Sequence, residues 1–229
     1  MRTQKRQPHD TPMIIRKEKL PNGARAIYFC GIRLYTYRRC RNKVHVHGKG
    51  NEVYCADPAN AHLHISIFGD NNVVNIRTTA RFCARIAIGT PECPANGCRV
   101  EVGADTTANE LGILLMEDNS AIRIGADCMF ASGIMLWGSD THTLLDAEGR
   151  VANIGKSIDI GEHCWVGQDC KILKNTALAP HCVLGMGSIL TTRCEEPHCI
   201  LAGIPAKVVK RGMDWDRRRP QQWLRDHAE

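Results

Sequence analysis

The sequence predicts an all-β protein built as a solenoid of short parallel strands. Between residues 154 and 190 an aliphatic side chain returns at every sixth position: Ile154, Ile160, Val166, Ile172, Leu178, Leu184 and Leu190. A period of six is a multiple of the strand period and does not fit a helix, so it indicates short strands separated by regular turns. Three such strands close one triangular coil, and residues eighteen apart then lie on neighbouring coils.

A second inward position precedes each aliphatic residue by two. It holds a small or apolar residue: Ile158, Cys164, Cys170, Thr176, Cys182 and Ser188. Gly161, Gly167 and Gly185 directly follow the aliphatic residue, and we expect them at sharp corners with positive φ. Looser strand–turn–strand segments earlier in the chain indicate coils with longer loops, so we place the solenoid over residues 44–202.

The repeat fails between residues 137 and 153. The six-residue register would place His142 and Glu148 in the core, where burial of such groups costs several kcal/mol. We therefore expect residues 137–153 to leave the core as a loop. This loop has the groups for acid–base chemistry, since a histidine takes a proton near neutral pH and Asp140, Asp146 or Glu148 would hold its ring. The alternative is a surface histidine in a polar loop.

Length and composition fit one domain with a narrow core. The chain has 229 residues, of which only 5% are aromatic. It has no apolar run long enough for a membrane span, and its charged start lacks the apolar segment of a signal peptide, so we expect a cytoplasmic protein. Twelve cysteines without an export signal, several at inward positions, are interpreted as small buried hydrophobic residues.

The two ends of the chain differ from the repeats. Residues 1–43 are basic, with Tyr35 and Tyr37 before a run of Arg and Lys at 38–43. The net charge of +6 is modest and no nucleic-acid-binding motif accompanies it, so we expect no nucleic-acid partner. We interpret the segment as a cap over the first coil, where strand edges would otherwise be exposed. Its positive charge also predicts a loose association with the inner membrane surface. Residues 203–229 are expected to form a C-terminal extension, a short helix or tail that carries Trp215 and Trp223.

Three motifs carry a resemblance to a known family. They are WGSDTH at residues 137–142, IGEHCWVG at 160–167 and ILAGIPAKVVK at 200–210. With them the chain resembles the hexapeptide-repeat acyltransferases, specifically over residues ~120–211. The resemblance implies a left-handed parallel β-helix. That handedness comes from the resemblance alone, because general topology rules favour right-handed crossovers.

The resemblance also implies an activity. The Ser-Asp-x-His arrangement ending at His142 is similar to that of the branch that O-acetylates bacterial surface sugars. It implies an acetyl-CoA-dependent O-acetyltransferase acting on capsule, lipopolysaccharide or a precursor, with His142 as general base and Asp140 as the orienting acid. It also implies a homotrimer with active sites, and acetyl-CoA, between subunits.

Outward residues are assigned to the coenzyme and the subunit interface by the same resemblance. Trp165, Val183, Ile189 and Ile200 would form interface or pantetheine contacts. The predicted coenzyme-binding residues are Trp165, Gly167, Gly185, Gly187, Ser188, Lys207, Lys210 and Arg211. The three basic residues would meet the coenzyme phosphates. Scattered surface hydrophobic residues and a solvated chain end are the alternatives.

Other functions stay open at this point. They are N-acetylation of an amino sugar, acetylation of a small antibiotic, a non-catalytic trimeric scaffold, and a zinc enzyme like the γ-class carbonic anhydrases, which share the fold. His163 and His181, eighteen apart, fall on one corner of successive coils. A catalytic zinc site needs three protein ligands, and His142 and His198 fall out of phase, so we expect no metal.

Overall fold

The computed structural model describes residues 15–19, 25–29, 32–37 and 42–228. The chain divides into two compact units, Met1–Arg41 and Asn42–Glu229. In the first unit, β1 (Ile15–Lys19), β2 (Arg25–Phe29) and β3 (Ile32–Tyr37) form an antiparallel sheet in that order. Residues 38–41 of the basic run lie outside the described residues. The assignment of residues 1–43 as a cap stays a prediction.

The second unit is a stack of coils whose strands pair in parallel with the coils before and after. Its strands are β4 (Lys43–His47), β5 (Glu52–Cys55), β6 (Ala61–Phe68), β7 (Val73–Ile76), β8 (Phe82–Ile88), β9 (Arg99–Val102), β10 (Thr107–Leu115), β11 (Ala121–Ile124), β12 (Met129–Phe130), β13 (Ile134–Trp137), β14 (Ser157–Ile160), β15 (Trp165–Val166), β16 (Lys171–Leu173), β17 (Thr176–Leu178), β18 (Val183–Leu184), β19 (Ile189–Leu190), β20 (Arg193–Cys194), β21 (Cys199–Gly203) and β22 (Ala206–Arg211).

Strand pairing confirms the predicted coil. Ile158 lies opposite Thr176, Trp165 opposite Val183 and Lys171 opposite Ile189, each pair eighteen residues apart. One side of the solenoid is a seven-stranded sheet that contains β11, β14, β17 and β20. The other two sides are built from β12, β15, β18 and β21 and from β13, β16 and β19, and they join at the long strand β10. The parallel β-helix predicted from the repeat is therefore confirmed.

The inward positions form one continuous core. The six residues of the small-residue series are all buried: Ile158, Cys164, Cys170, Thr176, Cys182 and Ser188. The aliphatic series from Ile160 to Leu190 is buried as well. Ile154 is the exception, with 53% of its surface exposed. Its assignment to the core was wrong.

The length of the loop explains this error. Leu136 of β13 lies opposite Ile172 of β16, a shift of 36 residues and twice the eighteen that separate Ile172 from Leu190. A whole coil length, residues 138–155, thus leaves the solenoid between β13 and β14. An insertion of eighteen residues keeps the six-residue phase, so Ile154 matches the repeat without belonging to it. The loop was expected at residues 137–153, whereas Trp137 still belongs to β13 and the excluded segment is residues 138–155.

The corners use left-handed backbone, but not at the predicted glycines. Positive φ occurs two residues later, at His163 (50°), Asp169 (58°) and Gly187 (70°). Gly161 is required for another reason, because a Cβ there would lie 2.5 Å from the backbone nitrogen of Pro180 on the next coil. The small size of Gly161 therefore permits close stacking of coils, whereas the corner conformation falls to Asn, Asp, His and Gly, which tolerate it.

The last coil is shorter, and the sheet continues beyond it. Val183 lies opposite Ile200, a shift of seventeen residues, and β21 then pairs with β22 in an antiparallel hairpin. The predicted end at residue 202 is therefore followed by another strand of the same sheet. A short helix, α1 (Pro220–Asp226), follows with no buried residue. Among the described residues, no helix is long and apolar enough to cross a membrane.

Candidate functional site

The loop of residues 138–155 leaves the solenoid through a narrow neck, and we name it the active-site loop after the role predicted from the sequence. Gly138 at its start donates its N–H to Leu114 O at 2.9 Å. Gly155 at its end lies so close that a Cβ there would be 2.1 Å from Gly138 O. Both glycines are buried. The backbones at the two ends of the loop are therefore in contact, and the space between them is too small for a side chain at Gly155.

A chain of hydrogen bonds fixes the backbone before the predicted catalytic histidine. Buried Ser139 donates its hydroxyl to Glu117 Oε1 at 2.7 Å, and the same Ser139 Oγ accepts the N–H of Thr141 at 2.8 Å. Thr141 has a φ of 61°, a left-handed conformation that a β-branched residue rarely adopts. Glu117 lies on the preceding coil and was not predicted from the sequence. Its only signal in the sequence is a carboxylate just past the end of a buried strand.

His142 is exposed, and its ring is free. Its backbone carbonyl accepts a hydrogen bond from Asn153 Nδ2 at 2.8 Å, and Asn153 Oδ1 accepts the N–H of Leu144 at 2.9 Å. Within the described part of the chain, the imidazole ring makes no hydrogen bond. Asn153 therefore holds the backbone of His142 from across the loop, and both ring nitrogens remain available to a ligand.

The structure does not bring Asp140 to the ring of His142. Asp140 Oδ2 accepts hydrogen bonds from Lys174 Nζ at 2.5 Å and from Asn153 Nδ2 at 2.8 Å. The hydrogen bond from Lys174 and then that from Asn153 lower the pKa of Asp140. The contact between Asp140 and His142 is thus indirect, through Asn153. Lys174, which ends this chain of contacts, was not expected from the sequence.

The two other carboxylates of the active-site loop serve a turn. Arg150 donates to Asp146 Oδ2 and to Glu148 Oε2, both at 2.8 Å. Asp146 Oδ1 also accepts the N–H groups of Glu148 and Arg150. Asp146 and Glu148 were alternatives to Asp140 as the residue expected to hold the ring of His142. In the structure they hold Arg150 instead, because the turn brings that cation closest.

The predicted coenzyme face is a row across four neighbouring strands. Trp165 lies opposite Val183, Val183 opposite Ile200, and Ile200 opposite Lys210. Trp165 is 39% exposed, but Val183 is only 8% exposed. Val183 was expected to show its side chain to solvent, whereas it lies enclosed between its two neighbours in the row. An apolar strip that ends in a lysine is the result.

The glycines and Ser188 of the predicted coenzyme site differ in their surroundings. A Cβ on Gly167 would lie 2.6 Å from Met186 N, and one on Gly185 would lie 3.3 Å from the Cβ of Ala202, so both positions serve coil packing. Ser188 is buried, and its Oγ accepts the N–H of Gly203 at 3.1 Å. Gly187 is exposed at a corner with open space around it. Gly187 is therefore the member of this group that is most open to a ligand, while Gly185 is partly exposed.

The basic residues of β22 are exposed. Arg211 Nε lies 3.0 Å from Glu196 Oε2 and forms an ion pair. Lys207 and Lys210 form no ion pair with any described residue. These two lysines are therefore better placed than Arg211 to meet an anionic ligand.

A second cluster of polar side chains lies on one corner of the last three coils. His163, His181 and His198 occupy this corner, and successive rings are 5.0 and 4.5 Å apart. His198 was expected to fall out of phase with the other two histidines, and this expectation was wrong because the last coil is one residue shorter. The chain after β22 returns here, so that Asp214 Oδ1 lies 3.4 Å from His163 Nε2 and Asp214 Oδ2 lies 3.3 Å from His181 Nδ1.

Trp215 and Asp127 complete the surroundings of His163. Trp215 stacks on the His163 ring at 4.5 Å, and its Nε1 donates to His163 O at 2.8 Å. His163 Nδ1 lies 2.6 Å from Asp127 Oδ2. Burial lowers the pKa of His163, but the hydrogen bonds to Asp127 and to Trp215 O, with the charges of Asp127 and Asp214, raise it overall. We name His163, His181, His198 and Asp214 the corner cluster.

Comparisons with known proteins agree with this architecture. No family model matches the sequence. The polysialic acid O-acetyltransferase of Escherichia coli O1:K1 / APEC is 32% identical over 122 residues, which are 53% of this chain and 39% of that protein. The polysialic acid O-acetyltransferase of Neisseria meningitidis is 35% identical over 122 residues, 53% of this chain and 56% of that protein. The chain thus spans about half the length of these curated relatives or less.

Solved structures extend the similarity to most of the chain. The polySia-specific acetyltransferase NeuO superposes with a TM-score of 0.64 and 26% identity over 82% of this chain and 94% of its own. The polysialic acid O-acetyltransferase OatWY has a TM-score of 0.56 and 24% identity over 82% and 97% of the two chains, which supports the fold alone. In its coils, its extruded histidine loop and these relatives, the chain resembles the hexapeptide-repeat acyltransferases, and it shares their left-handed parallel β-helix.

Proposed function

We propose that the protein is an acetyl-CoA-dependent O-acetyltransferase that acetylates a sugar hydroxyl of a bacterial cell-surface polysaccharide or its precursor. The observation that carries this proposal is the active-site loop. A solenoid whose core is otherwise continuous extrudes a full coil, and this coil presents the free ring of His142. Three of the relatives are named as O-acetyltransferases of polysialic acid or of a galactoside, which supports the same activity.

In the proposed reaction His142 is the general base. One ring nitrogen accepts the proton of the sugar hydroxyl while that oxygen attacks the thioester carbonyl carbon of acetyl-CoA. The tetrahedral intermediate then collapses, the C–S bond breaks, and the departing thiolate of CoA receives from the imidazolium the proton that came from the sugar hydroxyl. The products are an acetyl ester and CoA with a free thiol. Each step uses the imidazole ring and the thioester, so the proposed reaction centre includes no metal ion and no covalent acyl-enzyme.

The contacts within the loop would hold the backbone of His142 and leave its ring free. Asn153 binds both Asp140 and the His142 carbonyl, and Lys174 anchors Asp140 on the β-helix. Ser139 and Glu117 hold the preceding peptide. We assign these residues as positioning residues, because none of them contacts the ring. Asp140, in this proposal, orients His142 through Asn153.

We further propose that acetyl-CoA lies along the row of Trp165 and Lys210, in a groove between two subunits of a homotrimer. Exposed Trp165 offers apolar surface for the pantetheine arm, and exposed Gly187 allows close approach to the backbone. Lys207 and Lys210 would bind the coenzyme phosphates, with Arg211 shared with Glu196. Light scattering of the purified protein measures the trimer directly, and a monomer would contradict this arrangement.

The proposed acceptor is a carbohydrate, and the site of action is the cytoplasm, where acetyl-CoA is made. Two relatives, which match about half of the chain, are named for polysialic acid. Because polysialic acid is an acidic polysaccharide, an acceptor of this class is the first to test. The formal net charge of +6 would assist the binding of such an anionic chain and a loose association with the inner membrane surface.

The test is acceptor-dependent release of CoA from acetyl-CoA, quantified by chromatography so that the protein's own cysteines do not interfere. The acceptors are polysialic acid, a neutral capsular glycan, an amino sugar and a buffer blank. His142→Ala should lower turnover by roughly 10²–10⁴-fold, the usual contribution of a positioned base. His45→Ala removes an exposed histidine of β4 and serves as the matched control.

Each result separates the competing functions. Release with a polysaccharide that is lost in His142→Ala supports the proposal. Acetylation of the amino sugar at nitrogen would assign an N-acetyltransferase instead. Full activity of His142→Ala would remove His142 from the mechanism, and a protein that neither binds acetyl-CoA nor releases CoA would be a scaffold.

A further inference from the structure

We propose that the corner cluster is a zinc-binding site that holds the C-terminal chain against the β-helix. Its ligands are His163 Nε2, His181 Nδ1 and one carboxylate oxygen of Asp214, with the fourth position open to water. These ligand atoms all lie within 4.8 Å of one another. The site is separate from the active-site loop, and it does not depend on the proposed acetyl transfer.

The distances suit a tetrahedral ion. Zinc binds imidazole nitrogen and carboxylate oxygen at about 2.0–2.2 Å, which places neighbouring tetrahedral ligands about 3.3–3.6 Å apart. His163 Nε2 is 3.4 Å from Asp214 Oδ1, and His181 Nδ1 is 3.3 Å from the other oxygen, Asp214 Oδ2, so the carboxylate lies next to both rings and one of its oxygens would bind the ion. His198 Nδ1 is farther from Asp214 Oδ2, at 3.8 Å, which leaves His198 at the rim. Two imidazoles and a carboxylate are a ligand set that zinc commonly uses.

His181 provides an independent sign of a missing partner. Its Nδ1 is shielded from solvent and makes no hydrogen bond with any described residue, although Asp214 Oδ2 lies 3.3 Å away. A buried ring nitrogen without a partner costs about 1–3 kcal/mol. A carboxylate that is near the nitrogen but poorly aligned with it is expected where both groups are directed at a common ion. The cost disappears once Nδ1 binds a metal.

Asp127 gives His163 the form that a metal ligand requires. It lies 2.6 Å from His163 Nδ1 on the side of the ring opposite the cluster. A carboxylate in this position holds the proton on Nδ1 and directs Nε2 towards the metal. Arg217, also of the C-terminal chain, donates to the other oxygen of Asp127 at 3.0 Å and fixes the carboxylate in turn. His163 Nε2 also lies 3.1 Å from Trp215 O.

A metal here would join segments that are far apart in the sequence. Two ligands lie on successive coils, and the third belongs to the chain that follows β22. Trp215, next to Asp214, stacks on His163 and lies 6.1 Å from the ring of Trp165. Zinc would therefore fix the C-terminal chain over the corner and hold Trp215 beside the apolar row. Loss of the metal would weaken this attachment, which would then depend on the contacts of Trp215 and Arg217 with the corner, while the coils remain folded.

The test is metal binding by the full chain, freed of metal with a chelator and titrated with zinc by calorimetry. We expect one zinc ion per chain and a higher Tm with zinc than with the chelator. Asp214→Asn and His181→Gln should each weaken binding by at least tenfold. Asp127→Asn should weaken it by roughly 10–100-fold, as usual for the loss of a carboxylate behind a ligand histidine.

Controls separate this site from other ligands of the chain. His45→Gln, on exposed β4, should keep full zinc affinity, and each variant should unfold like the wild type in chelator. Cobalt in place of zinc should give visible bands of a tetrahedral nitrogen–oxygen site. A strong sulfur-to-cobalt charge-transfer band would place the metal on cysteines and overturn the proposal. So would binding that survives Asp214→Asn and His181→Gln, or a wild-type chain that binds no zinc.

Discussion

The active-site loop and the coil that follows it have the same length, but the loop lies outside the solenoid and the coil is part of it. Residues 138–155 leave the solenoid, whereas the next eighteen residues wind around the core with Ile158, Cys164, Cys170 and Ile172 fully buried. In the loop the apolar residues Leu144, Leu145, Val151 and Ile154 all stay exposed. The difference shows that the six-residue phase alone does not determine whether a residue lies in the core. The loop carries His142 and Glu148 where a coil needs two apolar side chains, and the whole segment is excluded.

The two segments are also held by different forces. The coil is stabilised by the stacking of apolar residues on the coils before and after it. The loop depends on a few polar contacts, chiefly Asn153 to Asp140 and to His142 O, and the turn closed by Arg150. Such contacts each contribute about 1 kcal/mol net. Changes in the loop should therefore alter local order, while changes in the coil should alter the stability of the whole domain.

The largest expected effect separates two isoleucines in the same apparent phase. Ile172 has no exposed surface, whereas Ile154 is 53% exposed. Ile172→Ala should lower the free energy of unfolding by about 2–5 kcal/mol, because it leaves a cavity in the core. Ile154→Ala should change it by less than about 0.5 kcal/mol. Urea unfolding followed by circular dichroism measures both, and equal losses would mean that residue 154 belongs to the solenoid.

The next effect concerns the neck of the active-site loop. A Cβ on Gly155 would lie 2.1 Å from Gly138 O, which the backbone must move to avoid. Gly155→Ala should therefore cost about 1–3 kcal/mol of stability and displace the loop. The control is Gly149→Asn at the loop tip, where φ is 74° and no atom lies within 4 Å, since asparagine tolerates this conformation.

Unfolding free energy and acetyl transfer should both fall for Gly155→Ala and stay near wild type for Gly149→Asn. If the alanine variant matched the wild type in both, the close contact of the two glycines would not matter to the protein.

Much of the fold followed from the sequence because the repeat is local. A strand of a few residues and a corner recur often enough to reveal the coil, its length and its inward positions, from Ile158 to Ser188. The assignments that failed used the six-residue phase across a segment whose length differs from that of a regular coil. Ile154 kept the phase because the insertion equals one coil, and His198 lost it because the last coil is shorter by one residue. Register between coils is set in space and not by counting.

The partners inside the site could not be read from the sequence for a related reason. Lys174 reaches Asp140 from a later coil, and Glu117 reaches Ser139 from an earlier one, across 34 and 22 residues of chain. Nearby carboxylates such as Asp146 and Glu148 seemed equally suited to hold His142. Only the folded geometry shows that Arg150 takes both.

A smaller effect tests the contact behind the loop. Ser139 is buried and joins Glu117 Oε1 to the N–H of Thr141. Ser139→Ala should cost about 1–2 kcal/mol, since it leaves a carboxylate oxygen and an amide without partners. Turnover should fall more than the KM for acetyl-CoA rises, because the loop backbone, not the coenzyme face, is disturbed.

Thr141→Ser is the matched control for Ser139→Ala. It keeps the hydroxyl that donates to Asp140 O at 2.6 Å and removes only an exposed methyl group. A serine at 141 should therefore leave both stability and turnover close to wild type. An equal loss in the two variants would show that the loop tolerates no change, rather than that the hydroxyl of Ser139 is required.

The smallest effect is a dependence of stability on pH that belongs to the loop. Lys174 and Asn153 lower the pKa of Asp140. A carboxylate with a lowered pKa in the folded state contributes stability above its unfolded pKa of about 3.9 and loses it as the pH falls through the folded value. Because the Asp140 side chain is 37% exposed, this contribution should stay below about 1 kcal/mol.

Asp140→Asn should thus be slightly less stable than wild type at pH 5–7, and the difference should shrink as the pH falls below about 4. Asp105→Asn, which removes an exposed carboxylate without an ion pair to any described residue, controls for net charge. If the wild type and Asp140→Asn kept a constant difference down to pH 2, the ion pair with Lys174 would contribute nothing, and the loop would be held by Asn153 and its neck alone.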